Sequence, residues 1–461
     1  MGTHKPCSVV LHISLIVVTL VVGVIVGLWQ IKPPQVNEAS SAYPAYQSMM
    51  NNIRKLTVEP HKSGSAAIEK VRSQILDEIK SMGLVPTVEQ ETYTAAEIAQ
   101  TRARLGFSVA SGSTLASMVG EDGTLALQNI IVKLDAPGTE RGVMLVSHYD
   151  STKNGPGAAD DMTSVCAMIE AMRAQAQNGA LKNDIYFVIT DGEENGLLGA
   201  VKYVDAHPEL KSKIDMVMNF EARGNRGGLL LFETSPKAYS LLKTAVKSGA
   251  KPIGFSWAAA IYAMMPNNTD FTVFLKSGYP GMNFAAIEGV ATYHQPTDSY
   301  ENLNPSTVWQ YLQTVLALTD YAANHSLDNL RETPSQAVYF PLLPGVMVLM
   351  SSIVSYVLCA VASGLALVSI FVRAKTGRRK VSFSIVLTGL LVLLSIGSAL
   401  VFPSGSYLFY IPLLCMAATM LLKKWAVVQT ATWMVSGVVA LLIWVPVLFL
   451  LWVSMIQPML L

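Results

Sequence analysis

From Phe340 to Leu461 the chain contains no Asp, Glu or His residue. Short polar segments divide this region into four apolar stretches: Leu342–Val372, Ser382–Phe402, Tyr407–Leu422 and Trp425–Ile456. A further run without acidic, Lys or Arg residues, Ser8–Trp29, lies near the start and is long enough for the about 20 residues that a membrane-spanning helix needs. Charged residues make up 14% of the chain, against about 25% in ordinary soluble domains. The sequence therefore predicts membrane-spanning helices at both ends and a water-soluble region between them.

The charges around the apolar stretches predict the orientation of these helices. Lys5 and two basic separators, Arg373–Lys380 and Lys423–Lys424, flank the stretches, whereas the separator Pro403–Ser406 is uncharged. Because basic loops stay on the cytoplasmic side, five spans with a cytoplasmic N-terminus and an extracytoplasmic middle region satisfy every loop. A cleaved signal peptide is the alternative for the first run, although its apolar core typically has only about 7–15 residues.

We therefore expect three parts. They are a cytoplasmic stub with an anchor helix at residues 1–36, an extracytoplasmic soluble domain at 37–338, and a four-helix transmembrane block at 339–461. The lack of acidic and imidazole groups in the last part favours an anchor or a partner surface over a transport pathway.

The middle region alternates between short apolar runs and amphipathic segments. Seven runs are predicted to be strands: Leu84–Thr92, Ile130–Leu134, Val143–Ser147, Ile185–Thr190, Met216–Phe220, Leu229–Phe232 and Met282–Ala286. The helical candidates are Ser65–Met82, Thr163–Ala176, Gly199–Asp205, Lys237–Lys247, Asp270–Lys276 and Pro305–Asn324. Strands that are apolar on both faces and alternate with helices predict an α/β fold, with a mostly parallel (mixed) sheet and helices on both faces. We expect Ala95–Gly123, which is rich in small and hydroxyl residues, to be irregular.

Acidic and imidazole side chains follow three of the predicted strands. His148, the pair Glu193–Glu194, and Glu221 each come at most a few residues after a separate strand. Parallel strands bring their carboxyl ends to one edge of a sheet, where ligands bind in such folds. Asp160 and His294 add two more groups of the kind that zinc accepts.

The economical arrangement of these groups holds two zinc ions. Asp160 bridges them, while one ion takes His148 and Glu221 and the other takes Glu194 and His294. Two zinc ions carry four positive charges against three carboxylates, so a water shared between them is favoured as hydroxide.

Three further side chains have predicted catalytic roles. Glu193 is not needed as a ligand and is predicted to be the general base. Asp150, two residues after His148, is expected to accept the second ring N–H of that histidine. Tyr293 is a candidate donor to the oxyanion that forms when an amide is hydrolysed. The sequence therefore predicts metal-assisted hydrolysis of an amide.

Several motifs resemble the co-catalytic di-zinc aminopeptidase family. They are His148-Tyr149-Asp150, Asp160-Asp161, Gly192–Gly199, Asn219–Ala222, and Tyr293-His294 with Asp298. Segments Pro60–Ser65, Asn268–Phe271 and Tyr339-Phe340 resemble its membrane-anchored branch of vacuolar membrane proteases and endoplasmic-reticulum metallopeptidases. The resemblance covers about residues 50–345. It implies that Asp160 bridges, that Glu193 is the base, that Glu194 is a ligand, and that a cis peptide bond follows Asp160.

We therefore predict a membrane-bound zinc aminopeptidase that acts on peptides. The short transmembrane block favours a bacterial plasma membrane, with the endoplasmic reticulum or a vacuole as alternatives. Two other classes remain open: an inactive scaffold or receptor ectodomain, and a single-zinc acyltransferase resembling glutaminyl cyclase. The net charge of +1 gives no support for nucleic-acid binding. Expected partners are a peptide substrate, the lipid bilayer and a membrane protein that contacts the C-terminal helices.

Overall fold

The computed structural model describes residues 6–108, 112–139, 141–177, 181–262, 265, 267–327, 330, 336–375, 383–421 and 426–452. These residues divide into two compact units. The larger unit comprises the described parts of Pro33–Pro252 and Ile261–Pro334. The smaller unit comprises the described parts of Met1–Lys32, Ile253–Ala260 and Ser335–Trp452.

Strands and helices alternate through most of the chain. The strands are β1 (Thr87–Thr94), β2 (Thr124–Leu134), β3 (Gly142–His148), β4 (Asp184–Thr190), β5 (Ile214–Ala222), β6 (Arg226–Thr234), β7 (Ile253–Gly254), β8 (Gly281–Glu288), β9 (Ala337–Leu343) and β10 (Val346–Ser351). The helices are α1 (Pro6–Trp29), α2 (Tyr43–Leu56), α3 (Ala66–Ser81), α4 (Ala95–Leu105), α5 (Gly112–Met118), α6 (Thr163–Ala176), α7 (Leu198–Ala206), α8 (Leu210–Lys213), α9 (Tyr239–Lys247), α10 (Ser256–Tyr262), α11 (Asp270–Lys276), α12 (Pro305–Asn324), α13 (Ser352–Lys375), α14 (Phe383–Val401), α15 (Tyr407–Leu421) and α16 (Ala426–Leu451).

The sheet of the larger unit is parallel in its centre and antiparallel at its sides. Its strand order is β1-β2-β4-β3-β5-β8-β6. The neighbours β4, β3, β5 and β8 pair in parallel, whereas β1, β2 and β6 pair antiparallel. The central strands β3, β4 and β5 are buried along their whole length, which is typical of parallel strands covered on both faces. The α/β prediction is confirmed, and the sheet is more evenly mixed than the sequence indicated.

Helices cover both faces of this sheet. Met144 and Val146 of β3 belong to a buried cluster with residues of α7 and α11. Successive side chains of a strand point to opposite faces, so Val143 and Leu145 face the other side. There α6 packs on β3 and β4, and α2 and α12 pack on α6. The four central strands are thereby fixed between two helical layers, and their carboxyl ends meet at one edge.

Two regions differ from the sequence-based expectation. Ala95–Gly123 is not irregular, because it contains α4 and α5. Thr94 caps α4 in a capping box with Glu97, and Gly106 ends the helix in the left-handed conformation. The first helix of the larger unit, α2, was not predicted. It buries Tyr46, Met49 and Ile53 along one face.

The smaller unit contains apolar helices, with α1 packed on α16. Gly23 and Gly27 allow this approach, since a Cβ at Gly23 would lie 2.4 Å from Leu441 Cδ1 and one at Gly27 would lie 2.9 Å from Val445 Cβ. The predicted first stretch of the C-terminal block begins as the hairpin β9–β10, and its helix starts only at Ser352.

Among the residues whose side chains the structure describes, Ser352–Phe371 is long and apolar enough to cross a bilayer. Shorter apolar helical segments are Val17–Trp29, Thr388–Val401 and Ser436–Leu450. The predicted basic separator Lys423–Lys424 and the second half of Arg373–Lys380 lie outside the described residues. The five spans therefore stay a prediction.

Asn129 of β2 connects the end of β4 to α7, and this contact provides a test of the packing in the larger unit. Asn129 accepts a hydrogen bond from the Asp191 backbone N–H at 3.0 Å and donates one to the Gly199 carbonyl at 2.9 Å. A Cβ on Gly199 would lie 2.2 Å from the Asp191 carbonyl oxygen and 2.4 Å from Asn129 Oδ1. We expect Gly199→Ala to lower the free energy of unfolding by about 1–3 kcal/mol or more, because backbone must move. Thermal unfolding of the purified protein in detergent measures this loss.

Gly112→Ala is the matched control, since a Cβ there would meet no atom within 4 Å. Equal melting temperatures for the two variants would contradict the tight packing at Gly199.

Candidate metal centre

Four parallel strands deliver the predicted ligands to one edge of the sheet. His148 is the last residue of β3, and Glu221 is the second-last residue of β5. Glu194 follows β4 by four residues, and His294 follows β8 by six. Asp160 lies in the π turn Ala158–Met162 that precedes α6, and its peptide bond to Asp161 is cis, as the family resemblance implied.

The structure brings all five predicted ligands into two groups that share one carboxylate. His148 Nε2 lies 3.3 Å from Asp160 Oδ1 and 3.6 Å from Glu221 Oε2. His294 Nε2 lies 3.3 Å from Asp160 Oδ2 and 3.1 Å from Glu194 Oε1. In each group one ligand atom per residue lies within 4.8 Å of the others. Each oxygen of Asp160 therefore faces a different imidazole, which is the geometry of a bridging ligand.

The donor atoms of these groups fit a pair of divalent cations. His148 Nε2, Glu194 Oε1, Glu221 Oε1 and His294 Nε2 are buried and make no hydrogen bond to the described residues. Buried polar atoms are normally hydrogen-bonded or bound to an ion. One imidazole and two carboxylates at each position form a set that zinc accepts, with room for a water in the remaining place.

The position of Asp160 is fixed through its backbone. Asp298 accepts hydrogen bonds from the N–H groups of Ala159 at 2.8 Å and Asp160 at 3.2 Å. Burial and the charge of Asp160 raise the pKa of Asp298 to about 7, against the lowering effect of these bonds. Asp161 points away from the two groups and accepts bonds from the Ser147 hydroxyl and the His148 N–H. The sequence motif contained Asp298, but its role as the support of the shared carboxylate became visible only in the structure.

Asp150 lies next to the second ring nitrogen of His148, where it was expected, and also contacts the following loop. His148 Nδ1 lies 2.9 Å from the backbone oxygen of Asp150, and 3.4 Å from its carboxylate. The Asp150 carboxylate instead accepts the backbone N–H groups of Glu193 at 3.1 Å and Glu194 at 3.2 Å. The Asp150 oxygen within hydrogen-bond distance of the His148 ring is thus the backbone one, and the carboxylate is occupied by two backbone donors. Asp150 positions the loop that carries Glu193 and Glu194.

A layer of buried polar residues below this loop was missed by sequence reasoning. Ser63 donates to Asp191 at 2.7 Å and lies 3.2 Å from Asp150. Asp191 also accepts the Gln128 backbone N–H at 3.0 Å and the Tyr149 hydroxyl at 3.3 Å. The Pro60–Ser65 motif had indicated this segment only through the family resemblance. Its structural role is to connect the carboxylates that follow β3 and β4.

The two ligand groups place three carboxylates close together in a buried region, and this arrangement shifts the pKa values of their side chains. Burial raises the pKa of Glu221, and it raises that of Glu194 to about 7 although the nearby imidazole of His294 opposes the rise. Burial lowers the pKa of His294, but the close carboxylates of Asp160 and Glu194 outweigh this and bring it to about 10. The two imidazoles lower the pKa of Asp160 to about 2 although burial opposes the change. Cations at the two positions would offset the same excess of negative charge.

Glu193 belongs to neither group of ligands and is half-buried. Burial raises its pKa well above the usual range, and the charges of Glu221 and Glu194 act in the same direction against that of His148. A raised pKa suits a group that must take and return a proton near neutral pH.

Tyr293 lies against the imidazole of the second group. Its ring stacks on the His294 ring with centroids 3.7 Å apart, and the Arg223 guanidinium lies 5.9 Å from the Tyr293 centroid. Three other histidines, His61, His207 and His325, belong to neither group of ligands.

The fold and the paired groups together define a mixed α/β domain with two adjacent groups of candidate metal ligands at its strand ends. Comparison with known proteins gives a family match over this part of the chain: residues 129–319 match Peptidase family M28. The chain is 29% identical over 206 residues to endoplasmic reticulum metallopeptidase 1 of Homo sapiens, covering 44% of this chain and 23% of that protein. It is 31% identical over 219 residues to the vacuolar membrane protease of Saccharomyces cerevisiae strain S288c, covering 47% of this chain and 22% of that protein.

These matches confirm the predicted family resemblance and support the prediction of a metallopeptidase. The matched part spans less than a quarter of either relative.

The solved structures that resemble this chain are less similar to it in sequence than these relatives are. An aminopeptidase from Aneurinibacillus sp. strain AM-1 is 14% identical with a TM-score of 0.46, covering 61% of this chain and 94% of its own. A glutaminyl cyclase from Porphyromonas gingivalis is 18% identical with a TM-score of 0.43, covering 61% and 98%. Similarity this low does not separate the two activities.

A partly buried acid beyond the two groups gives a pH-dependent test. Asn219 of β5 donates to Asn283 of β8 at 2.9 Å, and Asn283 donates to Glu233 of β6 at 3.0 Å. Burial raises the pKa of Glu233 to about 7, and the bond from Asn283 opposes the rise. In the unfolded chain a glutamic acid has a pKa of about 4.3. The folded state thus binds the proton more tightly, and stability falls as the pH rises from about 4.3 through 7.

We expect Glu233→Gln to stabilise the protein by about 1–3 kcal/mol at pH 8 and by clearly less at pH 5, because glutamine keeps the bond to Asn283 without the cost of ionisation. Melting temperatures at the two pH values measure the difference. Glu38→Gln, at an exposed position, is the control and should change neither value. A pH-independent effect of Glu233→Gln would show that Glu233 is ionised freely in the folded protein.

Proposed function

We propose that this chain is a membrane-bound aminopeptidase that uses two zinc ions. The observation that carries the proposal is that the two oxygens of Asp160 face two separate imidazoles, 3.3 Å from each. His148 and Glu221 would complete one zinc site, and Glu194 and His294 the other. Bound zinc would polarise the peptide carbonyl and lower the pKa of a water held between the ions.

The side chains around the metals supply the proton transfers and the positioning. Glu193 takes the proton from the attacking water and returns it to the leaving amine, a role that its raised pKa supports. Tyr293 donates to the oxygen of the tetrahedral intermediate. Asp150 keeps Glu193 and Glu194 in place through their backbone N–H groups. The hydroxyl of Tyr311 in α12 donates a hydrogen bond to the backbone carbonyl of Glu221 and helps to hold that ligand in position.

The test separates the peptidase from its two alternatives. We expect the wild-type protein, purified in detergent, to hold two zinc ions and to hydrolyse amino-acid amides and short peptides. Glu193→Gln should keep both ions, since it is not a ligand, and lose at least about a hundredfold in turnover. Zinc content by atomic absorption and turnover are measured on the same samples.

Other outcomes are equally informative. One zinc ion per chain would favour the cyclase-like acyltransferase, and none would favour the scaffold. Near-normal turnover by Glu193→Gln would reject the general base. N-acetylated peptides cleaved as fast as free ones would exclude an aminopeptidase, because that activity depends on a free amine.

We also propose the predicted boundaries and topology: a stub and anchor at residues 1–36, an extracytoplasmic peptidase domain at 37–338, and four transmembrane helices at 339–461, with a bacterial plasma membrane as the preferred location. The alternation of basic and uncharged segments supports this topology. A membrane location is also supported by the name of the similar vacuolar membrane protease.

Protease added to intact spheroplasts should cut within residues 37–338 and spare Arg373–Lys380. Cleavage at the basic segments with protection of the domain would mean the opposite orientation.

A further inference from the structure

Arg223 carries a positive charge next to the predicted catalytic residues, and the proposed chemistry does not use it. It follows Glu221 by two residues, directly after the end of β5, and its backbone N–H donates to the Ala286 carbonyl at 2.9 Å. The side chain is half-buried, with its Cζ 5.9 Å from the centre of the Tyr293 ring. The guanidinium therefore lies on the same side of the domain as Tyr293 and His294.

The guanidinium of Arg223 makes no ion pair or hydrogen bond with any described residue. Its Nε is shielded from solvent and has no acceptor there. Two other partly buried arginines of the larger unit have counter-ions, and a third, Arg102, whose Nε also lacks an acceptor, donates to the Asn195 carbonyl at 3.1 Å. Arg141 pairs with Asp215 at 2.6 Å, and Arg173 pairs with Glu78 at 2.5 Å. A partly desolvated charge without a counter-ion is unfavourable, so an unpaired arginine at this place indicates that an anion binds there.

The anion must come from outside the two ligand groups. Asp160, Glu194 and Glu221 are within 3.6 Å of the imidazoles and face the proposed zinc positions. A guanidinium cannot be a metal ligand, since it has donors only. Its planar fork matches both oxygens of a carboxylate, and it remains charged at every relevant pH.

The distances set the length of the peptide that could connect the two places. The guanidinium lies 5.9 Å from the Tyr293 ring, and that ring lies 3.7 Å from the ring of His294. An extended peptide advances about 3.3–3.6 Å per residue. These two distances together are an upper limit on the separation, and an ion pair itself allows up to about 4 Å between its charged atoms. A substrate whose scissile carbonyl is at the metals would therefore place a carboxylate about one to two residues further along within reach of Arg223.

We propose that Arg223, with the Tyr293 ring as its wall, is a subsite that binds a carboxylate of the peptide substrate. This carboxylate is either the C-terminus of a di- or tripeptide or an acidic side chain at the corresponding place in a longer one. The subsite rests on the proposed peptidase function and specifies its substrate class as short or acidic peptides.

The test compares matched peptides on the full-length, zinc-loaded protein in detergent. The probes are Ala-Ala-Ala, its C-terminal amide, and the amide of Ala-Asp-Ala. For wild type we expect a KM for the free acid about ten- to a hundredfold below that of the amide, as for the loss of one charge-assisted interaction. Arg223→Gln should raise the KM of the acid to that of the amide, with kcat changed less than twofold. Arg223→Lys should retain part of the preference.

The third peptide separates the two sources of the carboxylate. If Ala-Asp-Ala amide keeps the advantage of the acid, the subsite accepts a side chain. If it behaves as the plain amide, the subsite accepts the C-terminus.

Arg226→Gln is the control. Arg226 is exposed and lies three residues away, so this variant should leave all three KM values unchanged. An Arg223→Gln variant that slows all peptides equally, or none, overturns the proposal. If Arg223→Gln does not fold, Arg223→Met keeps the contact with the Tyr293 ring and takes its place.

Binding measurements distinguish the failure of the subsite from the failure of the peptidase. In the Glu193→Gln background, calorimetry should show tighter binding of Ala-Ala-Ala than of its amide, and Arg223→Gln should abolish the difference. This result would uphold the subsite even if wild type hydrolyses none of the peptides, an outcome that rejects only the peptidase. Equal affinities for the acid and the amide while Arg223 is present, or no binding of either, would overturn the subsite.

Discussion

The sharing of Asp160 between His148 and His294 is the contact on which the rest of the site depends. The two histidines come from strands β3 and β8, which are not neighbours in the sheet because β5 lies between them. One carboxylate can reach both only from the turn before α6, over the carboxyl ends of these strands. Asp298 secures that turn by accepting two of its backbone N–H groups, and Asp161 secures the end of β3 by accepting the His148 N–H. Each acid thus serves a different part of one rigid arrangement.

The surrounding negative charge is stabilised mainly by neutral donors. Hydroxyl groups and backbone N–H groups satisfy Asp150 and Asp191, and the Thr190 hydroxyl donates to Asp270. Burial of a carboxylate is costly unless it is hydrogen-bonded or close to a cation. Neutral donors lower that cost without neutralising the charge, so the region stays attractive to divalent cations. The two imidazoles offset only a part of it, as the raised pKa of Glu194 shows.

The relatives place this arrangement in context. The Peptidase family M28 match covers residues 129–319, which contain all five proposed ligands, Glu193, Tyr293 and Asp298. Endoplasmic reticulum metallopeptidase 1 and the vacuolar membrane protease match over less than a quarter of their own length. The shared part therefore holds the proposed catalytic residues. Arg223 lies inside this shared part, so the proposed carboxylate subsite belongs to the region that matches Peptidase family M28.

The sequence by itself determined the types of side chain and the strand ends at which they lie. Apolar runs followed by His148, Glu194 and Glu221 were sufficient, because the carboxyl ends of parallel strands must meet at one edge. Local signals also determined the helix α3, which was predicted over Ser65–Met82 and begins directly after the N-cap residue Ser65. The tertiary structure decided the antiparallel sides of the sheet, the contact of Asp150 with the Glu193–Glu194 backbone, and the support that Asp298 gives to Asp160. These features arise from contacts between residues far apart in the chain, and their distances and competing donors are set only when the strands and helices pack.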